Sequence, residues 1–160
     1  MDFERLRSYG EISYDSSVYG GRVAYFKNKQ MQGKVSIFSS GKMISIGTKS
    51  EAQAKRELQL AKQFLVEKRL IKDVELEPRT QNIVATADFE QTFNLEELTQ
   101  RTRVIYEPEQ FPGAMLRITQ PFKTSILLFA SGKAVMTGLK SQTEIEPTIQ
   151  ALKSIIELNQ

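Results

Sequence analysis

Apolar and polar positions follow two periods along this chain. In Ile126-Leu127-Leu128-Phe129 and Ala134-Val135-Met136-Thr137 the side chains alternate, so Ile126, Leu128, Ala134 and Met136 share one face while Leu127, Phe129, Val135 and Thr137 share the other. Both faces are apolar. Earlier in the chain, Val35/Ile37 against Ser36/Phe38 and Met43/Ser45 against Ile44/Ile46 repeat the pattern. The second period is helical. Residues 51–70 place Ala54, Leu58, Ala61 and Leu65 on one side and Lys55, Arg56, Lys62 and Lys68 elsewhere. Another long helix is expected from about Glu146, with Pro147 at its first position, in preference to a start set by the capping-box spacing of Ser141 and Glu144. Its buried face is Ile149, Leu152, Ile155 and Ile156. Asp2 and Asn94 are placed to cap short helices over Phe3–Tyr9 and Leu95–Gln100. An antiparallel sheet usually leaves one face polar for water. Two amphipathic helices cover one face here, and the sequence holds no third layer, so something outside the chain should cover the other.

The chain repeats itself. Phe38-Ser39-Ser40-Gly41-Lys42 recurs as Phe129-Ala130-Ser131-Gly132-Lys133, and Gly47-Thr48-Lys49-Ser50 as Gly138-Leu139-Lys140-Ser141, both at an offset of 91. Upstream, Tyr14 matches Tyr106 and Gly21 matches Gly113 at an offset of 92, which puts one extra residue in the first half. A hairpin loop around Asn28 to Gly33 is the expected place for it. So long a period favours two fused half-domains over a stack of small units. The expected division is 1–72 for the first repeat, 73–81 for a linker and 82–160 for the second. The second opens with a strand, Asn82–Asp88, which has no counterpart in the first. A missing central strand would expose edge backbone groups that another segment or chain should cover.

Composition narrows the chemistry. The 160 residues contain no cysteine and no histidine, so disulfides, Cys/His zinc sites and His-based triads are excluded by count. The pairs Glu75/Glu77, Glu96/Glu97 and Glu107/Glu109 lack a nucleophile or metal spacing beside them and read as solvated surface. No enzyme activity, cofactor or metal is expected. No stretch approaches the ~20 apolar residues of a membrane span, and the first residues do not resemble a signal peptide. The expected location is intracellular. Net charge is only +3, but residues 1–80 hold 15 Lys/Arg and 10 Asp/Glu, while 81–160 hold 7 and 9.

An apolar, lightly basic face suits the DNA minor groove, which offers few donors and acceptors and no methyl groups, so that shape and small polar side chains do the reading. Val84, Val135, Thr137 and Asn82 have that character, and Lys42, Lys49, Lys133 and Lys140 lie beside the strands as a phosphate-contacting rim would. Large apolar side chains can enter base steps and kink a duplex. Core packing is the default for Phe129 alone. Phe111 lies between Gln110 and Pro112-Gly113 in a turn-like segment, where an exposed ring is costly.

Three motifs, Gln81-Asn82-Ile83-Val84-Ala85-Thr86, Tyr106-Glu107-Pro108-Glu109-Gln110-Phe111-Pro112-Gly113, and Ser131-Gly132-Lys133 through Thr137-Gly138 to Lys140-Ser141, together resemble the TATA-box-binding protein family in its archaeal and eukaryotic core form. The resemblance spans essentially the whole chain and is strongest in the second repeat. It implies an α+β saddle: a curved antiparallel sheet from two pseudo-symmetric repeats, ten strands less the first, with four helices on the convex face and DNA beneath. The resemblance also implies wedging into the minor groove and kinking of the duplex. It implies DNA-intercalating roles for Phe111, Phe129 and Phe38, with Tyr19 where a further Phe would stand. Asn82, Val84, Leu127, Val135, Thr137, Ile44 and Ile46 take minor-groove positions, and Arg117, Ser131, Lys133, Lys140, Ser40, Lys42 and Lys49 phosphate positions. The resemblance likewise implies that Glu107 and Glu109 lie on the stirrup where transcription factor B docks. The departures fall in the first repeat: Ile46 replaces a groove Thr, Tyr25 a phosphate-binding Arg, and Val18-Tyr19-Gly20-Gly21 the Phe-containing stirrup.

Two functions follow. One is a factor that binds and bends A·T-rich promoter DNA and recruits transcription factor B, in an archaeal cytoplasm or nucleoid or a eukaryotic nucleus. The alternative is a family paralogue whose concave face serves protein, as an interaction module or a homodimer in the absence of DNA.

Overall fold

Burial alternates along residues 43–46, 83–88 and 124–129, and in 124–129 the buried set is the one that meets the helices. The computed structural model describes residues 3–157, in two units, Met1–Pro78 and Arg79–Gln160. The cap expected of Asp2 lies outside the described residues. Unit 1 comprises α1 (Phe3–Leu6), β1 (Ile12–Tyr14), β2 (Val23–Phe26), β3 (Lys34–Phe38), β4 (Met43–Ile46) and α2 (Glu51–Glu67), its antiparallel sheet running β1-β2-β3-β4. Unit 2 comprises β5 (Ile83–Asp88), α3 (Leu95–Arg101), β6 (Val104–Ile105), β7 (Gly113–Ile118), β8 (Thr124–Phe129), β9 (Lys133–Leu139) and α4 (Ile145–Glu157), ordered β5-β9-β8-β7-β6 and also antiparallel. The class is α+β. Among the described residues no helix is long and apolar enough to cross a membrane.

In unit 1, Ala61, Phe64 and Leu65 of α2 pack with Phe3 and Leu6 of α1 on Ala24, Phe26, Val35 and Ile37. In unit 2, Leu152 and Ile156 of α4 pack with Leu95 and Leu98 of α3 on Ala114, Leu116, Ile126, Leu128, Ala134 and Met136. Each such fully buried large side chain contributes about 1.5–3 kcal/mol. Among the described residues the helices of each unit therefore take one face of its sheet and leave the other without a helix on it.

The recurring Phe-x-Ser-Gly-Lys motif is a three-residue hairpin. Gly41 and Gly132 take the left-handed conformation (φ 85° and 87°), and their N–H groups donate to the carbonyls of Phe38 and Phe129. A side chain at Gly132 would also run into the Gln91 carbonyl. The motif thus sets an aromatic side chain immediately before a tight turn and a lysine immediately after it.

Helix boundaries differ from expectation where a stop or start signal is unusual. Helix α2 ends at Glu67, because Arg69 (φ 55°) takes the left-handed position that glycine usually fills, with Leu70 N–H donating to Leu65 and Arg69 N–H to Val66. Helix α1 is a single turn, ending before Tyr9. Ahead of α4, a 3-10 turn over Gln142–Glu144 is capped by Ser141, whose hydroxyl accepts from Thr143 N–H, and Glu144 accepts from Lys140 N–H. Pro147 is then the third residue of α4, not the first, still within the turn whose N–H groups lack helical partners. Asn94 caps α3 as expected, accepting from Glu97 N–H.

The ladders relocate the extra residue of the first repeat. Ser13 pairs with Tyr25 while Ile105 pairs with Met115, so the β1–β2 connection is two residues longer than β6–β7. Phe26 pairs with Val35 while Leu116 pairs with Ile126, so the following hairpin is one residue shorter in unit 1. The insertion therefore lies in the loop before β2, not at Asn28–Gly33. The match of Gly21 to Gly113 shifts with it: Val23, opposite Phe38, holds the place that Gly113 holds opposite Phe129.

Glu57 is a buried carboxylate (1% exposed) in the middle of α2. Its Oε1 accepts from the backbone N–H groups of Gln32 (2.9 Å) and Gly33 (3.1 Å), pinning the β2–β3 hairpin to the helix. A side chain at Gly33 would collide with Oε2 of Glu57 and the Ile46 carbonyl, so the backbone reaches the carboxylate only as glycine. Glu57→Ala should leave both donors unpaired and cost about 2–4 kcal/mol in unit 1 stability, with Glu57→Gln, which keeps an acceptor oxygen, costing less. Denaturant melts measure this; a loss under about 0.5 kcal/mol for the alanine variant contradicts the assignment.

Candidate nucleic-acid interface

The helix-free face of unit 2 carries several exposed apolar side chains. Val84 (58% exposed) from β5, Val135 and Thr137 from β9, Leu127 from β8 and Met115 from β7 lie on it, with Ile105 (62% exposed) at the β6 margin. The ladders Val84↔Thr137 and Leu127↔Val135 set the groove-type residues of three adjacent strands side by side. A β-bulge at Gly138 (φ 102°) re-aims the end of β9, and Asn82 holds it: its Oδ1 accepts from Gly138 N–H at 2.8 Å. Asn82 itself is exposed.

Cationic groups rim this face. Lys133 and Arg117 are exposed at strand positions opposite Asp88 and Ser125, and Ser131 is exposed in the β8–β9 turn. Lys140 is exposed, and its Nζ donates to the Gln81 carbonyl beside Asn82. In unit 1, Ser40, Lys42 and Lys49 are likewise exposed around the β3–β4 turn and the start of α2.

The 107–112 loop presents the aromatic feature. The N–H groups of Gln110 and Phe111 both donate to the Glu107 carbonyl, which tightens the loop and projects Phe111 outward, 44% exposed. Its ring meets that of Phe129 at 5.9 Å and 60°. Both rings rest over Gly113, where a Cβ would come within 2.8 Å of Phe111 and 3.0 Å of Phe129. Gly113 is thus the seat of the pair, a role that motif reading alone missed. Glu107 and Glu109 are exposed on the same loop, with no cation paired to them among the described salt bridges.

The corresponding face of unit 1 is different. Ile44 (43% exposed) and Ile46 stand where Val135 and Thr137 stand in unit 2, above a buried Ser36. Tyr25 is the counterpart of Met115, not of Arg117 as residue spacing indicated, and Lys34 Nζ lies 4.3 Å from its ring centroid. Lys27 follows Phe26 as Arg117 follows Leu116, so unit 1 keeps a cation at that place. Tyr19 is 72% exposed, and among the described residues no ring pairs with it or with Phe38. Tyr19, Gly20 and Gly21 run left-handed in succession, anchored by Tyr14, whose hydroxyl donates to the Gly21 carbonyl. At the base of this loop the Ser17 hydroxyl and N–H bind the Asp15 carboxylate and hold its pKa below the usual range.

Among the described residues no group of three His, Cys, Asp or Glu side chains is arranged to hold a metal. The chain compares closely with known proteins. A family model described as "Transcription factor TFIID (or TATA-binding protein, TBP)" matches residues 1–67 and 77–158. The TATA-box-binding protein of Cenarchaeum symbiosum is 40% identical over 133 residues, 82% of this chain and 72% of that protein. That of Methanothermobacter thermautotrophicus is 37% identical over 148 residues, 89% and 78% respectively. Among solved structures, Methanococcus jannaschii TBP superposes with a TM-score of 0.77 at 32% identity, covering 99% of this chain and 88% of that one.

Proposed function

The chain belongs to the TATA-binding protein family of DNA-binding transcription factors, which are not enzymes, and from that premise we propose that it binds the minor groove of A·T-rich promoter DNA with its helix-free faces, bends the duplex, and offers the 107–112 loop to a transcription factor B-like protein. The observation that carries the reading is the ring pair of Phe111 and Phe129 seated on Gly113 at the margin of an apolar strand face. Val84, Leu127, Val135, Thr137, Ile44 and Ile46 supply van der Waals contact along the groove, and Asn82 offers it an amide donor. The guanine 2-amino group, the one feature that marks G·C in the minor groove, meets apolar side chains there, so A·T pairs are preferred. Arg117, Lys133, Lys140, Lys42, Lys49 and the newly placed Lys27 contact phosphates, with the Ser40 and Ser131 hydroxyls beside them.

Glu107 and Glu109 would repel phosphates and attract a basic protein surface, which makes their loop the docking point for the partner. Glu107→Lys combined with Glu109→Lys should leave binary DNA binding intact or slightly tighter and lose supershifted ternary complex. A ternary complex of unchanged affinity would sink the docking role.

For DNA binding itself, the test is fluorescence anisotropy with a TA-rich duplex, its inosine·cytosine replacement, which lacks the 2-amino group, and a G·C-rich control. The first two should bind similarly and the third at least tenfold more weakly. Equal affinity for all three would refute minor-groove reading. Exposed Ile44, Ile46 and Val84 also favour self-association through the same face when DNA is absent; sedimentation should then show a dimer that duplex addition dissolves.

A further inference from the structure

The two units do not present the same wedge. In unit 2, glycine at the start of β7 leaves room for two rings to lie together over it. In unit 1 that ladder position is Val23, buried at 6% exposure opposite Phe38, so a branched side chain stands where the second ring would need space. The loop that would deliver the second ring is two residues longer, and its Tyr19 sits in a left-handed run four residues ahead of Val23. On the face behind it Ile44 pairs with the buried Ser36, and Ile46 stands in the place of the Thr137 hydroxyl.

Resting on the DNA-binding reading above, we infer that this chain kinks its duplex at one end only: unit 2 inserts the Phe111/Phe129 pair into a base step, and unit 1 lies on an unbroken stack. Unit 2 therefore requires a deformable pyrimidine–purine step beneath its loop, and unit 1 accepts a stiffer A·T sequence. This asymmetry, with the difference in charge between the halves, fixes the direction in which the protein sits on its site.

The absence of cysteine from the chain allows a clean test. Gln110→Cys, in the exposed loop beside Phe111, carries a tethered iron chelate whose cleavage marks the end of a TA-rich duplex that unit 2 occupies. In the same duplex, 2-aminopurine at either terminal step of the site reports unstacking as increased fluorescence at saturating protein. The expected result is a several-fold rise at the cleaved end and none at the other, lost in Phe129→Ala and retained in Phe38→Ala and Tyr19→Ala. A rise at both ends, or one that depends on Phe38 or Tyr19, overturns the one-ended kink. Binding with no rise at either end overturns it too while leaving groove binding intact, whereas failure to bind the duplex at all removes the reading beneath it.

Discussion

Phe111→Ala is expected to weaken binding to a TA-rich duplex by roughly 30- to 100-fold, about 2–3 kcal/mol. Unstacking a base step costs a few kcal/mol, which in the proposed wedge the inserted rings would offset. Phe111 is 44% exposed in the free protein, so its removal leaves the hydrophobic core untouched and the thermal midpoint nearly unchanged. Phe129→Ala should weaken binding as much, with a larger stability loss because Phe129 is half-buried in β8. The rings touch, so the double variant should lose less than the sum of the two. Variants that fold normally and bind within about twofold of the parent would refute the wedge.

Salt should have an equally large effect. Six cations are assigned to phosphates: Arg117, Lys133 and Lys140 in unit 2 and Lys27, Lys42 and Lys49 in unit 1. If all six displace counterions, the logarithm of affinity falls with the logarithm of salt at a slope of about −5, or roughly 10³ between 50 and 200 mM. Lys42→Gln and Lys133→Gln should each make the slope shallower by about one unit, with little change in base preference. A slope shallower than about −2 for the parent would mean that phosphates are not the main contacts. It would favour an apolar protein partner for this face.

Much of this architecture was legible from residue order. The recurrence of Phe-x-Ser-Gly-Lys carried information because a three-residue hairpin demands a left-handed residue, which Gly41 and Gly132 supply. Alternation in 126–129 and 134–137 predicted correctly which side chains share a face, since the two faces of a strand are fixed by residue parity. The misreadings have physical causes as well. A one-residue offset between repeats is the net of a two-residue insertion and a one-residue deletion, and only the ladder separates them. Residue spacing consequently sets Tyr25 against Arg117, whereas the ladders give that place to Lys27. Glu57 was invisible because a glutamate among lysines on a helix reads as solvent-facing, and its donors come from a hairpin over twenty residues away. Arg69 ends α2 in a conformation whose usual marker is glycine, so the helix was expected to run three residues further.

Unit 1 is where family likeness and local sequence part company. Its cation positions and hairpin turn are retained, but the seat for a ring pair is filled by Val23 and its groove face ends in Ile46. Binding strength and bending can therefore be divided between the units in a way the repeat alone does not indicate.

The most direct test of the whole account is end-to-end energy transfer on a doubly labelled TA-rich duplex, alongside a G·C-rich control, with no other factor present. Saturating protein should shorten the end-to-end distance of the TA-rich duplex, leave the control unchanged, and lose the shortening in Phe129→Ala. Tight binding with both duplexes still straight would contradict it, and would assign the helix-free faces to a protein partner instead of bent DNA.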